Sequence, residues 1–153
     1  AGTGSSGSAN GTGTSASFDK PYGVTTDGTN LYVADYYNHL IRKIVISTGV
    51  VTTVAGTGSS GSVNGTGTSA SFDKPSGITT DGTNLYVVDS NNHLIRKIVI
   101  STGVVTTVAG TGSFGSANGT GTSASFDNPS GITTDGTNLY VGDYMNYLIR
   151  KIE

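Results

Sequence analysis

One tetrapeptide recurs at a constant spacing. Phe18-Asp19-Lys20-Pro21 returns as Phe72-Asp73-Lys74-Pro75 and as Phe126-Asp127-Asn128-Pro129, each 54 residues after the last. The first two copies differ at six positions only: Ala9/Val63, Tyr22/Ser76, Val24/Ile78, Ala34/Val88, Tyr36/Ser90 and Tyr37/Asn91. The third runs from Ala109 to Glu153. A period of this size means stacked copies of one supersecondary unit, none of which can bury its apolar faces alone. The units read as 1–54, 55–108 and 109–153. Near-identity between copies is the mark of recent duplication or of deliberate design.

Each unit has a polar half and a β half. Ala1 to Ser17 is Gly, Ser and Thr with hardly an apolar side chain, which reads as a flexible linker ending at Phe18 and Pro21. Four strand signals follow: Gly23 to Thr26, Leu31 to Ala34, Leu40 to Ile46 and Val50 to Ala55. Asp27-Gly28 joins the first two, and Gly there accepts positive φ. Asp35 to His39 makes a polar turn, and Ser47-Thr48-Gly49 a short hairpin connection. No segment shows capped helical periodicity. Four antiparallel strands per unit, joined by hairpins, describe a propeller blade. Gly-Val-Val-Thr-Thr-Val ends units one and two but not three, so the third blade is expected to lack its outermost strand. Leu148 to Ile152 would then be an edge open to pairing with another chain.

The segment Leu31-Tyr32-Val33-Ala34-Asp35-Tyr36-Tyr37-Asn38-His39-Leu40-Ile41-Arg42-Lys43-Ile44 resembles an NHL repeat, named for the triplet Asn38-His39-Leu40. Asn92-His93-Leu94 repeats the triplet, and the third copy departs from it with Asn146-Tyr147-Leu148. The resemblance covers the whole chain. It implies an all-β propeller, usually of six blades, that often serves as an interaction platform. Propellers have about 4–8 blades, and six is the one multiple of three in that range. Three blades left alone would expose two apolar faces. The expectation is therefore a homodimer in which two chains close one six-bladed ring head to tail.

Composition narrows the partners. The formal charge is −2, and 12% of residues are charged, too few for the basic patch of a nucleic-acid binder. There is no cysteine, hence no disulfide framework. No apolar run of about 18 residues is present to span a membrane, and no charged-then-apolar leader begins the sequence.

Several motifs have catalytic or ligand-binding counterparts elsewhere. Gly2-x-Gly4-x-x-Gly7 and its two copies match a dinucleotide fingerprint, but Asn64-Gly65-Thr66-Gly67 opens no helix to hold a pyrophosphate. His39 and His93 could converge on a metal in a ring, as in lyase-type relatives; Tyr147 in the third copy and the absence of companion Cys or Glu oppose it. Asp27, Asp81 and Asp135, with Asp35, Asp89 and Asp143, repeat equally in every unit, as scaffolding does and catalytic groups seldom do. Asn10-Gly11-Thr12 and its copies fit the N-glycosylation pattern. No catalytic residue, metal or cofactor is expected.

The differences between copies gather on one face. Strand alternation places the start of the first strand, the turn after the second and the inter-unit segment together. Tyr22, Tyr36, Tyr37, His39, Asn91, His93, Tyr144, Met145 and Tyr147 are the candidate ligand contacts there, for a peptide or a glycan. The leading expectation is a non-catalytic, self-assembling propeller scaffold. The alternative is a binding module using that loop face, and a metal-dependent lyase-type enzyme stands behind both.

Overall fold

Leu31-Tyr32-Val33-Ala34 has no polar residue to turn outward, so a strand built from it needs cover on both faces. The computed structural model, which describes all 153 residues, places three sheets side by side and so covers the middle one on both faces. Strands β1 (Gly11–Thr12), β2 (Pro21–Thr26), β3 (Asn30–Asp35), β4 (Leu40–Val45) and β5 (Val50–Ala55) form the first sheet. Strands β6 (Gly65–Thr66), β7 (Pro75–Thr80), β8 (Asn84–Asp89), β9 (Leu94–Val99) and β10 (Val104–Ala109) form the second. Strands β11 (Ile132–Thr134), β12 (Leu139–Asp143) and β13 (Leu148–Ile152) form the third. The orders are β1-β5-β4-β3-β2, β6-β10-β9-β8-β7 and β11-β12-β13, with every pairing antiparallel.

Strand period shows in the packing. Leu85 and Val87 lie in the cluster shared with Tyr32, Ala34 and Ile41 of sheet one. Tyr86 and Val88 face the other way, toward Phe126, Leu139 and Val141 of unit three. The middle sheet is thus apolar on both sides and buried on both. The innermost strands touch through glycine. A Cβ on Gly23 would collide with the Ser76 carbonyl oxygen, and one on Gly77 with that of Ser130. Only a residue without a side chain permits this approach.

Two features differ from the sequence expectation. Units one and two have five strands rather than four, because Gly11–Thr12 and Gly65–Thr66 add a short strand outside β5 and β10, while unit three has the three expected of it. The Gly/Ser/Thr segment is accordingly no free linker. Its Ser6 bridges Phe18 in parallel, Gly7 N–H donates to the Phe18 carbonyl, and Gly13 N–H donates to that of Gly49.

What fixes the segment is a guanidinium. Arg42 is wholly buried; its Nη1 donates to Asp35 Oδ2 at 2.7 Å and to the Ser17 carbonyl at 3.1 Å. Its Nη2 donates to the Ala9 carbonyl at 3.0 Å and to Asn10 Oδ1 at 2.9 Å. The planar fork lies 5.1 Å from the Phe18 ring centroid, within cation–π range. Asp35 Oδ1 also accepts the Asp19 N–H at 2.7 Å. Arg96 and Asp89 repeat the set in unit two. Asn10, read as a glycosylation signal, here spends its carbonyl oxygen on the arginine.

The Asp-Gly turns are equally closed. Asp27 accepts from the Thr29 and Asn30 N–H groups at 2.8 and 2.7 Å, from Asn30 Nδ2 at 3.0 Å and from the Tyr32 hydroxyl at 2.9 Å. Gly28 takes φ 88° in that turn. Burial alone would raise the Asp27 carboxyl, but these four donors outweigh it and hold the group well below the usual range. The same balance lowers Asp81, and in Asp135 the Asn138 and Thr137 N–H bonds lead. Burial and the bond to Asp27 push the Tyr32 hydroxyl up to about 12.

Replacing Arg96 by Met strands a buried carboxylate and is expected to cost about 3–5 kcal/mol in urea unfolding. Pairing Arg96→Met with Asp89→Leu should recover part of that. The lowered Asp27, Asp81 and Asp135 stabilise the fold above their unfolded value of about 3.9, and that contribution disappears as pH falls through the folded values. Melting temperature should therefore drop steadily below about pH 4. The triple Asp→Asn variant should show a flatter acid limb.

Candidate binding site

The register explains which loops meet. Pro21 pairs with Asp35 and Pro75 with Asp89, so the start of each first strand lies beside the turn that follows the second. That turn is a single 3-10 turn, at Tyr36–Asn38, Ser90–Asn92 and Tyr144–Asn146, closed by a left-handed residue, His39, His93 or Tyr147. Six non-glycine residues take positive φ, at two equivalent positions per unit: Lys20, His39, Lys74, His93, Asn128 and Tyr147. All belong to this end of the sheets.

The result is a cup of about 380 Å³ to which all three sheets contribute. Tyr22 and Tyr36 of sheet one stand on one side, with ring centroids 5.8 Å apart in a stacked arrangement. Tyr144 and Met145 stand opposite, beside Asn128, Pro129 and Ser130. Ser76 and Ser90 of sheet two lie between them as a buried floor, their hydroxyl oxygens 2.6 Å apart. Ser76 Oγ is 2.9 Å from the Ser130 carbonyl oxygen and Ser90 Oγ 2.8 Å from that of Pro129, so these hydroxyls also tie sheet two to unit three. No acidic or basic side chain lines the cup. Its rings, hydroxyls and one amide suit a neutral ligand held by stacking and hydrogen bonds.

Of the candidate contacts, Tyr22, Tyr36, Tyr144 and Met145 come together in this cup. Tyr37 lies beside it, edge-on to Tyr36 at 5.1 Å, with Lys20 Nζ 4.7 Å and Lys74 Nζ 5.8 Å from its centroid. Asn91 is exposed at the rim, its Nδ2 3.5 Å from Asp73 Oδ2. The histidines face elsewhere. His39 Nδ1 accepts the Lys74 N–H of the next unit at 3.2 Å, and His93 Nδ1 accepts that of Asn128 at 3.1 Å. Each is a staple between neighbouring units, with Asp73 and Asp127 carboxylates 3.4 and 3.7 Å away. No three His, Cys, Asp or Glu side chains converge. Tyr147, the counterpart of those histidines, is 92% exposed on the open flank of sheet three.

Ser76, Ser90, Asn128, Pro129 and Ser130 are cup residues that sequence reasoning did not single out. A signal for two of them existed: between units one and two, Tyr22/Ser76 and Tyr36/Ser90 both change large for small at positions that lie side by side, whereas unit three combines Ser130 with Tyr144.

Comparison with known proteins agrees with this architecture. No family model matches the chain. NHL repeat-containing protein 2 of Bos taurus is 40% identical over 104 residues, and that of Homo sapiens 39% over the same length. Each match covers 65% of this chain but 14% of the relative, so the chain spans about one-seventh of those proteins' length. Among solved structures, an auxiliary nutrient binding protein of Bacteroides thetaiotaomicron aligns with a TM-score of 0.74 at 25% identity, over 85% of this chain and 36% of its own. A second such protein, from Bacteroides ovatus, gives 0.72 at 28% identity, over 82% and 35%. Virginiamycin B lyase of Staphylococcus aureus, at 19% identity and a TM-score of 0.53 over 86% and 40%, shares the fold alone. In its repeats and in its three antiparallel sheets alike, this chain resembles the NHL-repeat β-propeller proteins.

Proposed function

We propose that the chain is a non-catalytic propeller module that closes a six-bladed ring with a second copy of itself and holds a neutral peptide or glycan in the cup. The unsatisfied flanks carry this reading. Ile41 and Ile95 are fully buried against the next unit, whereas their counterpart Ile149 is 80% exposed. On the opposite flank Ile78 is 6% exposed and its counterpart Val24 62%. A fully buried side chain of this kind contributes about 1.5–3 kcal/mol, so leaving both flanks in water forfeits several such contributions.

The two flanks are complementary because the repeats are. Gly23 and Gly77 sit against the carbonyls of Ser76 and Ser130, but a Cβ on Gly131 would meet nothing within 4 Å. Stacking sheet one of a partner on sheet three by the same rule brings the Tyr22 carbonyl to Gly131. The Lys20 N–H, at the position where Lys74 and Asn128 donate to a histidine ring nitrogen, would face Tyr147, so the junction between copies would form without that hydrogen bond. Two copies would then present two cups around one axis. The nutrient-binding role named for the Bacteroides neighbours supports a ligand-binding module.

Light scattering should give twice the chain mass. Gly131→Ala should leave the lone chain folded, having room for the methyl, yet return it to the single-chain mass. Gly77→Ala should instead lower the melting temperature, since its methyl collides within the chain. A lone-chain mass for the unaltered protein would reject ring closure. The cup is tested separately, by probing arrays of neutral glycans and of peptides with the labelled protein. Tyr36→Ala or Tyr144→Ala should weaken the captured ligand at least about fivefold, the loss expected of an aromatic anchor, at unchanged melting temperature. Retained binding would move the site elsewhere.

A further inference from the structure

Sheets one and two each hold an outer strand in a slot with two walls. Strand β5 is bonded by β4 on one side and β1 on the other, and β10 by β9 and β6. Sheet three has both walls and no strand between them. Strand β13 offers one edge. Gly119-Thr120, the counterpart of β1 and β6, offers the other, and it is not a strand because its partner is absent. The 3-10 turn Gly121–Ser123 that follows is formed as in the other units. Arg150 holds the second wall in place, its Nη2 donating to the Ala117 carbonyl at 3.1 Å and to Asn118 Oδ1 at 2.9 Å.

Between the walls runs a groove of about 610 Å³. Ala109, Ala124, Phe126 and Ile152 give it an apolar floor. In sheet two, the matching groove is filled by Val104–Ala109, whose Val105 is buried and pairs with Ile98, the counterpart of Ile152. There Thr107 Oγ1 donates to Asn64 Oδ1 at 3.4 Å, a site that Asn118 repeats without a threonine. Both Gly-Val-Val-Thr-Thr-Val segments of the chain are already paired in their own sheets, so neither is free to move across.

We propose that this groove is a strand-acceptor site for an extended peptide from outside these 153 residues, with valines and threonines in the pattern of Val104 to Val108. The occupant would be hydrogen-bonded on both edges, as β10 is, rather than on one edge as in ordinary strand addition. Register follows from the repeat. The residue standing for Val105 enters the apolar floor, and the one standing for Thr107 reaches Asn118. The site belongs to sheet three alone and does not depend on ring closure.

The test is titration of a fluorescein-labelled peptide with the sequence of residues 101–108 into the protein, read by anisotropy, with hydrogen exchange as a second measurement. Saturable binding at one peptide per chain is expected, with slowed exchange at Leu148 to Ile152 and at Gly119-Thr120. Peptides carrying Val105→Lys, or Thr106→Pro with Thr107→Pro, should bind at least tenfold more weakly. Val104→Lys, on the solvent side, should bind as the parent does. Absence of saturable binding, equal binding by the proline peptide, or protection away from both walls would each overturn the proposal. Ring closure is read by mass, so failure here leaves that reading intact, and the reverse holds as well.

Discussion

Removing a guanidinium from water costs several kcal/mol unless its N–H groups and its charge are met inside the protein. Arg42 and Arg96 meet most of that condition through both Nη groups, with carbonyls and an amide drawn from the polar segment and one carboxylate from the adjoining strand, while each Nε N–H stays buried without a partner. The arrangement works in both directions. The segment lacks apolar side chains to bury, so its position rests on these bonds and on its own backbone pairs. The arginine in turn can lie beneath Phe18 or Phe72 because the segment arrives to receive it. Losing either side would release the cover over the outer edge of each sheet.

With the segment fixed, the sheets can be stacked on both faces. Each presents one apolar face backward and one forward, and three contacts register the junction: glycine on carbonyl, histidine on N–H, and isoleucine against aromatic and aliphatic neighbours. At the open flank of sheet three the glycine and the isoleucine recur as Gly131 and Ile149 with their partners missing, and Tyr147 stands where the histidine would be. The open flanks are therefore consequences of one rule, that a repeat unit buries its faces only through the next.

The fold was largely legible because strand signals are local. Val50–Ala55 is a strand over the bounds its residues suggest, and the missing outer strand of unit three follows from the absence of Gly-Val-Val-Thr-Thr-Val there. The polar segment was illegible for a physical reason. Gly, Ser and Thr carry no periodic signal, and Gly11–Thr12 becomes a strand only because β5 lies alongside it. The junction role of the histidines was illegible for a related reason. A turn residue with a ring nitrogen looks available until the neighbouring unit supplies an N–H to it.

By itself the sequence determined the repeat length, the strands and the apolar character of both sheet faces, because these depend on residue order within one unit. Only the tertiary structure decided which variable residues share a cup. Tyr22, Ser76, Tyr144 and Met145 lie far apart along the chain and meet through the stacking of three sheets. It also decided that His39 and His93 serve the junctions and that Arg42 holds the polar segment. Each of those roles is assigned by a partner tens of residues away, and no local pattern encodes it.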